Sequence, residues 1–308
     1  MMVFTAWLSG LWSVGRHAWL VVVVYILLLI PTVPLAVKLH ADLPPPATPF
    51  AVEPGAGPVP DADWLDEVTA NKRSLVGALT PEVIGVAAPF ENLDQLLEAR
   101  PPMFAVLVSA VMLTVWAWLW GGVLSTFGGS SRRFFTACQE SFSDLLGISI
   151  GSVVCALGAY AVIRLVVFGA LSWAAGSWAE STLVAARIGA TLLLAVAVAL
   201  TTLVFDYARI AVVLDDVSLR AALTRGARVV TQHPGAVCTL LLLTTVMFAG
   251  LLAGYAAFEF IPGGSVPTVN RIIGLGQAYI VARIVLRLWN AGAQVALYRR
   301  LSNRPASE

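Results

Sequence analysis

Residues Thr201 to Asp216 read TTLVFDYARIAVVLDD. They close an uncharged run of eighteen residues, Ile188 to Phe205, and set Asp206 and Arg209 directly behind it. A helix needs roughly 18–20 apolar residues to cross the hydrocarbon core of a bilayer, so this run reads as a membrane span. A carboxylate and a guanidinium at its end then need a reason, because a charge at mid-helix costs about 2.5–3.5 kcal/mol on insertion scales.

Composition extends the reading to the whole chain. Of 308 residues 58% are hydrophobic and 12% charged, where a soluble domain carries about 25% charged residues. So few charges cannot cover a water-soluble surface of this size, whereas lipid asks for none. Ala18–Val37, Pro101–Ser131 and Pro234–Phe258 are further uncharged runs. The predicted fold class is all-α, a polytopic helical membrane protein with six spans. These are Ala18–Val37, Met103–Thr126, Gly147–Ala175, Val184–Arg209, Gly235–Phe258 and Ile272–Tyr298. Arg164 interrupts the third, and Arg283 and Arg287 the sixth. The first follows Arg16, but its core exceeds the 7–15 residues of a signal peptide and no A-x-A site follows, so an uncleaved anchor is expected.

Lys and Arg orient the spans. With the N-terminus inside, ten arginines fall in cytoplasmic segments: Arg16, Arg132, Arg133, Arg209, Arg220, Arg225, Arg228, Arg299, Arg300 and Arg304. The short outer loops and span ends hold Arg187 and Arg271. Both termini are therefore expected in the cytoplasm, in a bacterial inner membrane. The chain divides into an interfacial helix and first span (1–38), an extracytoplasmic segment (39–101), a five-span core (102–298) and a cytoplasmic tail (299–308).

The outer segment, Leu39–Pro101, opens Pro/Gly-rich and turns amphipathic in DADWLDEVTANKR and PFENLDQLLEAR, each able to form a short helix. Ten acids against Lys72, Arg73 and Arg100 give it a charge of −7. It reads as solvated extracytoplasmic structure or, alternatively, as a docking surface for a basic membrane-protein partner.

The inner segments are patterned. At 100° per residue, SRRFFTACQESFSDLL gathers Phe134, Phe135, Cys138, Phe142 and Leu145 opposite Arg132, Arg133, Gln139, Glu140, Ser143 and Asp144. VSLRAALTRGARVV sets Leu219, Leu223, Gly226 and Val230 against Arg220, Thr224, Arg225 and Arg228, with Asp215 and Asp216 as expected N-caps. Near the N-terminus Phe4, Leu8, Leu11 and Trp12 oppose Ser9, Ser13 and Arg16. Basic polar faces and aromatic apolar faces describe helices lying in the membrane interface. Anionic lipid headgroups are the partners expected for Arg132, Arg133, Arg220, Arg225 and Arg228.

Each such helix precedes two spans. Shifting the chain by 216 positions lays Ala6, Gly10, Val14 and His17 on Ala222, Gly226, Val230 and His233. The middle copy is weaker, with Thr5–Ala6 recurring at Thr136–Ala137. The pattern predicts a threefold repeat of interfacial helix plus transmembrane hairpin.

FDYARIAVVLDD, LRAALTRGARVVTQHPG and QAYIVARIVLRLWNAGAQVALYRR resemble uncharacterised bacterial six-span proteins. They are also similar to the membrane domain attached to some glycerophosphoryl diester phosphodiesterases. The resemblance covers mainly Arg132–Arg300. Those fusion enzymes carry catalysis in a separate soluble domain, so the resemblance implies a membrane architecture and no hydrolytic activity, and the long acidic segment departs from its compact pattern.

Polar residues inside the spans form two stripes. Arg283, Arg287, Asn290 and Gln294 lie within about 60° on the last span. Thr202, Asp206 and Arg209 share a face of the fourth. Facing stripes would let Asp206 neutralise Arg283 or Arg287. Three readings stay open: polar contacts between helices, an anion site, or arginines snorkelling to water. Arg164, Arg209, Arg283 and Arg287 outnumber Asp206 within the spans, and surplus guanidinium suits a phosphate or carboxylate.

Cys138, Cys155 and Cys238 read as small core residues, Gly147/Gly151 and Gly250/Gly254 as GxxxG packing spacings, and Trp116, Trp118 and Trp120 as lipid-facing or interfacial aromatics. No P-loop, GxSxG, HExxH or dinucleotide fingerprint occurs, and no basic-aromatic nucleic-acid surface. No cofactor, metal or nucleic-acid partner is expected. The first functional reading is a non-enzymatic scaffold or accessory subunit of a membrane assembly. The alternative is a carrier or lipid-handling protein that uses the arginine-rich interior.

Overall fold

The computed structural model describes residues 2–42, 103–130, 133–174, 180–259 and 269–302. The acidic segment from residue 43 onward, Arg132 and the tail past Ser302 lie outside them. All the secondary structure described is helical. In chain order it runs α1 (Met2–Arg16), α2 (Trp19–Asp42), α3 (Met103–Phe127), α4 (Phe134–Glu140) and α5 (Phe142–Ile163). A π-helical turn (Arg164–Phe168) follows, then α6 (Gly169–Ala174), α7 (Glu180–Asp215), α8 (Leu219–Gln232), α9 (Pro234–Glu259) and α10 (Val269–Ser302).

Five stretches are long and apolar enough to cross a membrane: Ser109–Phe127, Phe142–Val167, Ser181–Asp215, Pro234–Tyr255 and Gly274–Ser302. The bent pair of α1 and α2 makes a sixth when counted as one span. Arg164, read as an interruption of the third span, opens the π-turn within it.

Local chemistry sets the helix ends. Gly129 takes φ +66°, and the bonds Gly129 N–H to Thr126 and Ser130 N–H to Ser125 close α3 in a Schellman motif. Asp216, at φ +52°, ends α7 in the same left-handed region. Ser218, not Asp215 or Asp216, holds the N-cap position of α8; Asp215 is the last residue of α7 and Asp216 the turn that follows it. Pro234 opens α9, where its missing N–H has no helical partner to lose. The segment expected as one amphipathic helix from Arg132 breaks at Ser141 (φ −93°, ψ 0°), so Phe142, Asp144 and Leu145 belong to the span α5.

The described helices fall into two compact units. The first comprises Met1–Arg16, Trp116–Leu243 and Trp289–Glu308, the second His17–Val115 and Thr244–Leu288. The first unit holds all three amphipathic helices, and small residues dock each of them. A Cβ on Gly10 of α1 would lie 2.5 Å from the Ala293 nitrogen of α10. A Cβ on Gly226 of α8 would lie 2.4 Å from the Val204 carbonyl of α7, and one on Gly121 of α3 2.7 Å from the Ala137 carbonyl of α4. So α4 rests on the span before it, α8 on the span before it, and α1 on the last span. The sequence repeat falls on these contacts. The buried residues of α1 are Ala6, Gly10 and Val14, and those of α8 are Ala222, Gly226 and Val230. In the middle copy Ala137 and Leu145 are buried, and Ser141, where the helix breaks, stands at the glycine's place.

This packing divides the apolar residues of the amphipathic helices into two kinds. On α1 the bulky face points outward: Phe4, Leu8, Leu11 and Trp12 are 55%, 43%, 42% and 78% exposed. On α8 Gly226 and Val230 are buried against the unit and Leu219 and Leu223 half-buried, while Arg220, Thr224, Arg225 and Arg228 are exposed. The apolar stripe of α8 is therefore used on protein and that of α1 is not. Of the two GxxxG spacings, Gly147/Gly151 makes contacts, a Cβ on Gly151 lying 3.2 Å from the Phe205 ring of α7 and one on Gly147 3.8 Å from Leu219 of α8, whereas among the described residues nothing lies within 4 Å of a Cβ at Gly250 or Gly254.

In the second unit α2 meets α10 through a Tyr25 hydroxyl donating to Gln277 Oε1 at 2.6 Å, and α9 meets it through Tyr255 and Tyr279, centroids 4.6 Å apart.

Gly226→Ala is expected to lower the thermal midpoint in detergent clearly, since forcing atoms into a packed contact costs about 1–3 kcal/mol. Gly250→Ala should leave it unchanged. Equal midpoints in a scanning-fluorimetry comparison would contradict this packing.

Candidate functional site

The charge that opened the sequence question lies in the first unit. On α7, Asp206 Oδ1 accepts a hydrogen bond from Arg209 Nη1 at 2.6 Å, with the two side chains 19% and 15% exposed. A spacing of three residues puts both on one helix face, so the pair forms without bringing a second helix into register. From α10, Gln294 Nε2 donates to Asp206 Oδ2 at 3.4 Å, and Gln294 is buried. Asp206 is thus neutralised on its own helix and not by Arg283 or Arg287. Thr202, on the same face, turns its hydroxyl back to the Val198 carbonyl at 2.9 Å.

The polar line continues to the end of α7. Tyr207 stacks on Tyr298 of α10, centroids 6.4 Å apart and planes 27° apart. Tyr298 donates its hydroxyl to Asp215 Oδ2 at 2.5 Å, and the same oxygen accepts Arg225 Nη1 of α8 at 2.5 Å. One carboxylate so ties a span, a second span and an amphipathic helix together, and it holds the exposed Arg225 guanidinium more firmly protonated. Arg225 is committed to protein, while Arg133, Arg220 and Arg228 remain exposed. Within this unit the Tyr207 hydroxyl and Arg209 Nε are buried with no hydrogen-bond partner among the described residues.

Basic residues at the end of α10 close the ring of contacts. Arg299 donates to the Gly128 carbonyl at the end of α3, and Arg300 to the Thr5 hydroxyl and the Met2 carbonyl of α1. Trp289 Nε1 donates to the Trp7 carbonyl at 2.8 Å, and the two indoles lie 4.4 Å apart.

The last-span stripe does not act as one surface. Gln294 is buried and Asn290 half-buried, whereas Arg283 and Arg287 are exposed. Arg283 lies over the Tyr279 ring, 5.6 Å from its centroid. Arg164 is exposed on its π-turn. The sequence signals missed Tyr298 and Trp289 and read Asp215 as an N-cap, whereas its carboxylate takes Tyr298 and Arg225. Tyr298 and Asp215 belong to different segments, and only the fold brings them together.

The remaining candidates are structural. All three cysteines are free. Cys138 is buried and its thiol is pushed up to about 11 by burial, so it stays protonated at neutral pH; Cys155 and Cys238 are exposed, not core. Trp116, Trp118 and Trp120 are half-buried, Trp118 against Phe135 of α4 at 5.8 Å. Among the described residues no three His, Cys, Asp or Glu side chains gather as a metal centre requires. A cavity of about 310 Å³ lies between Glu140, Ser141, Asp144, Val212, Asp216 and Val217.

Helices of this length and composition define a multi-pass helical membrane protein. Compared with family models, with curated proteins and with solved structures, the chain matches none. The resemblance drawn from its motifs rests on those motifs alone.

Asp206→Asn is expected to destabilise the protein in detergent by about 3 kcal/mol, the low end for removing one partner of a buried pair. Arg209→Gln in the same chain should recover part of the loss and Arg287→Gln none. Recovery by Arg287→Gln instead would place the partner on α10.

Proposed function

We propose that the protein is a non-enzymatic scaffold or accessory subunit of a membrane assembly. It sits in a bacterial inner membrane with both termini in the cytoplasm and Leu39–Pro101 outside. The observation that carries this is the division of labour in the first unit. Its ionic groups, Asp206, Arg209, Asp215 and Arg225, bond to one another and to neighbouring helices. The outward faces of the amphipathic helices are exposed, bulky and apolar on α1, basic on α8. In this reading α1 seats Phe4, Leu8, Leu11 and Trp12 in the interface. Arg133, Arg220 and Arg228 meet anionic headgroups, each worth about 1 kcal/mol near a charged leaflet. The acidic outer segment supplies the protein–protein contact, its charge of −7 selecting a basic partner.

A second reading, a carrier or lipid-handling protein for an anionic lipid or solute, is favoured by the exposure of Arg283 and Arg287 on the last span.

Extraction in polymer nanodiscs, followed by mass spectrometry, tests the first reading. The wild-type chain should carry a second membrane protein at fixed stoichiometry. Replacing the ten acids of Leu39–Pro101 by Asn and Gln should release it. A chain that is isolated alone from native membrane, with or without those acids, would contradict the scaffold reading.

A further inference from the structure

We propose that a water molecule enclosed between α7 and α10 joins the Tyr207 hydroxyl to the Asp206 carboxylate and the Gln294 amide, a binding site for water in the seam of the first unit. Tyr207 is fully buried, and its hydroxyl has no hydrogen-bond partner among the described residues. A phenol so placed is rare, because a buried polar group left unmet loses its hydration with nothing in exchange. In lipid no bulk solvent relieves that loss. The ring of Tyr207 is packed where its hydroxyl is not. It stacks on Tyr298 of α10 at 6.4 Å, and the Tyr298 hydroxyl donates to Asp215 Oδ2 at 2.5 Å. The neighbouring tyrosine has therefore given its proton elsewhere.

The water's other partners stand along the same seam. Asp206 precedes Tyr207 by one residue, about 100° round the helix, and α10 meets both. Gln294 reaches Asp206, and Tyr298, one turn further on, reaches Tyr207. Gln294 Nε2 stands 3.4 Å from Asp206 Oδ2, longer than the usual N–H to oxygen bond of about 2.7–3.2 Å. Asp206 Oδ2 therefore retains capacity for a further donor. Gln294 is itself buried, and fully buried Ala291, three residues before it, puts only a methyl into the seam. An enclosed water makes about three hydrogen bonds. Here it accepts one from the Tyr207 hydroxyl and donates two, to Asp206 Oδ2 and to the Gln294 amide oxygen. Arg209 Nε, also buried without a partner among the described residues, stands on the far side of Asp206 on the helix wheel and is not served by it. Asp206, Tyr207 and Gln294 all belong to the first unit, and the site is the same whether the protein works as scaffold or as carrier.

X-ray hydroxyl-radical labelling of the wild-type protein in detergent tests the site, because radicals born from a bound water oxidise the side chain beside it. Tyr207 should be oxidised well above Phe205, which is buried on the same helix beside Gly151 of α5. After mixing into heavy-oxygen water, the Tyr207 product should gain the heavy isotope slowly, and the product at exposed Phe135 at once. Tyr207→Phe should lower the thermal midpoint by about 2–4 °C, the size expected for one net hydrogen bond. Oxidation of Tyr207 no faster than that of Phe205 would overturn the proposal. So would immediate uptake of the heavy isotope at Tyr207, which belongs to bulk solvent. An unchanged or raised midpoint in Tyr207→Phe would overturn it too, since a hydroxyl without a partner has no bond to lose. If Tyr207→Phe cannot be purified folded, the wild-type labelling decides alone.

Discussion

Gly226 lies so near the α7 backbone that a methyl group in its place would run into the Val204 carbonyl. That approach, with its counterparts at Gly10 and Gly121, is the constraint from which the rest of the first unit follows. Without a hydrophobic driving force between apolar surfaces in lipid, helices associate through close packing, and small residues set how close the backbones come. An amphipathic helix with a small-residue stripe can therefore give that stripe to a span and keep another face for its surroundings. On α1 the face kept is aromatic and aliphatic; on α8 it is basic.

The polar contacts depend on the same approach. Docking α8 on α7 brings Arg225 to Asp215, and Asp215 is then shared with Tyr298 of α10. Deeper along α7, Asp206 has its countercharge on its own helix, leaving Gln294 to make the neutral link across to α10. An ion pair closed within one helix asks nothing of the neighbouring span except that it cover the pair. A neutral amide does that with little desolvation cost of its own. The charges of the fourth span are thus a local pair in a packed contact.

Much of this was legible in the sequence. The uncharged runs gave the spans, because lipid excludes charge wherever a helix crosses it. The helices themselves run further than the runs: α7 extends from Glu180 to Asp215 where the charge pattern gave Val184–Arg209. A helix ends where its backbone is capped, not where lipid stops. The alternation of large apolar and charged residues identified the amphipathic helices, and on α8 the face that packs, but not the docking face of α1. Large side chains dominate such a pattern, while the docking on α1 is done by Ala6, Gly10 and Val14, which add little to it. The repeat at 216 positions did mark those residues, since it compares identity and not size. The break at Ser141 and the Tyr298–Asp215–Arg225 junction left no local signal. The second depends on residues far apart in the chain. Asp206 and Arg209 lie at pairing distance along one helix, and the nearer cation takes the carboxylate before any partner across the helices.

The central claim is that the three amphipathic helices occupy equivalent places, α1 completing the last hairpin as α4 and α8 follow α3 and α7. Arg300 already bonds the Met2 carbonyl at 3.3 Å, so the start of α1 lies beside the end of α10. Circular permutation tests the claim most directly. Glu308 is joined to Met1 through residues 303–308, and the chain is opened between His17 and Ala18. The account predicts a monodisperse protein with a thermal midpoint close to the wild type, lowered by Gly10→Leu in both chains. Aggregation of the permuted chain, beside wild type prepared in parallel, would contradict it and make the α1–α2 connection the feature that holds α1 in place.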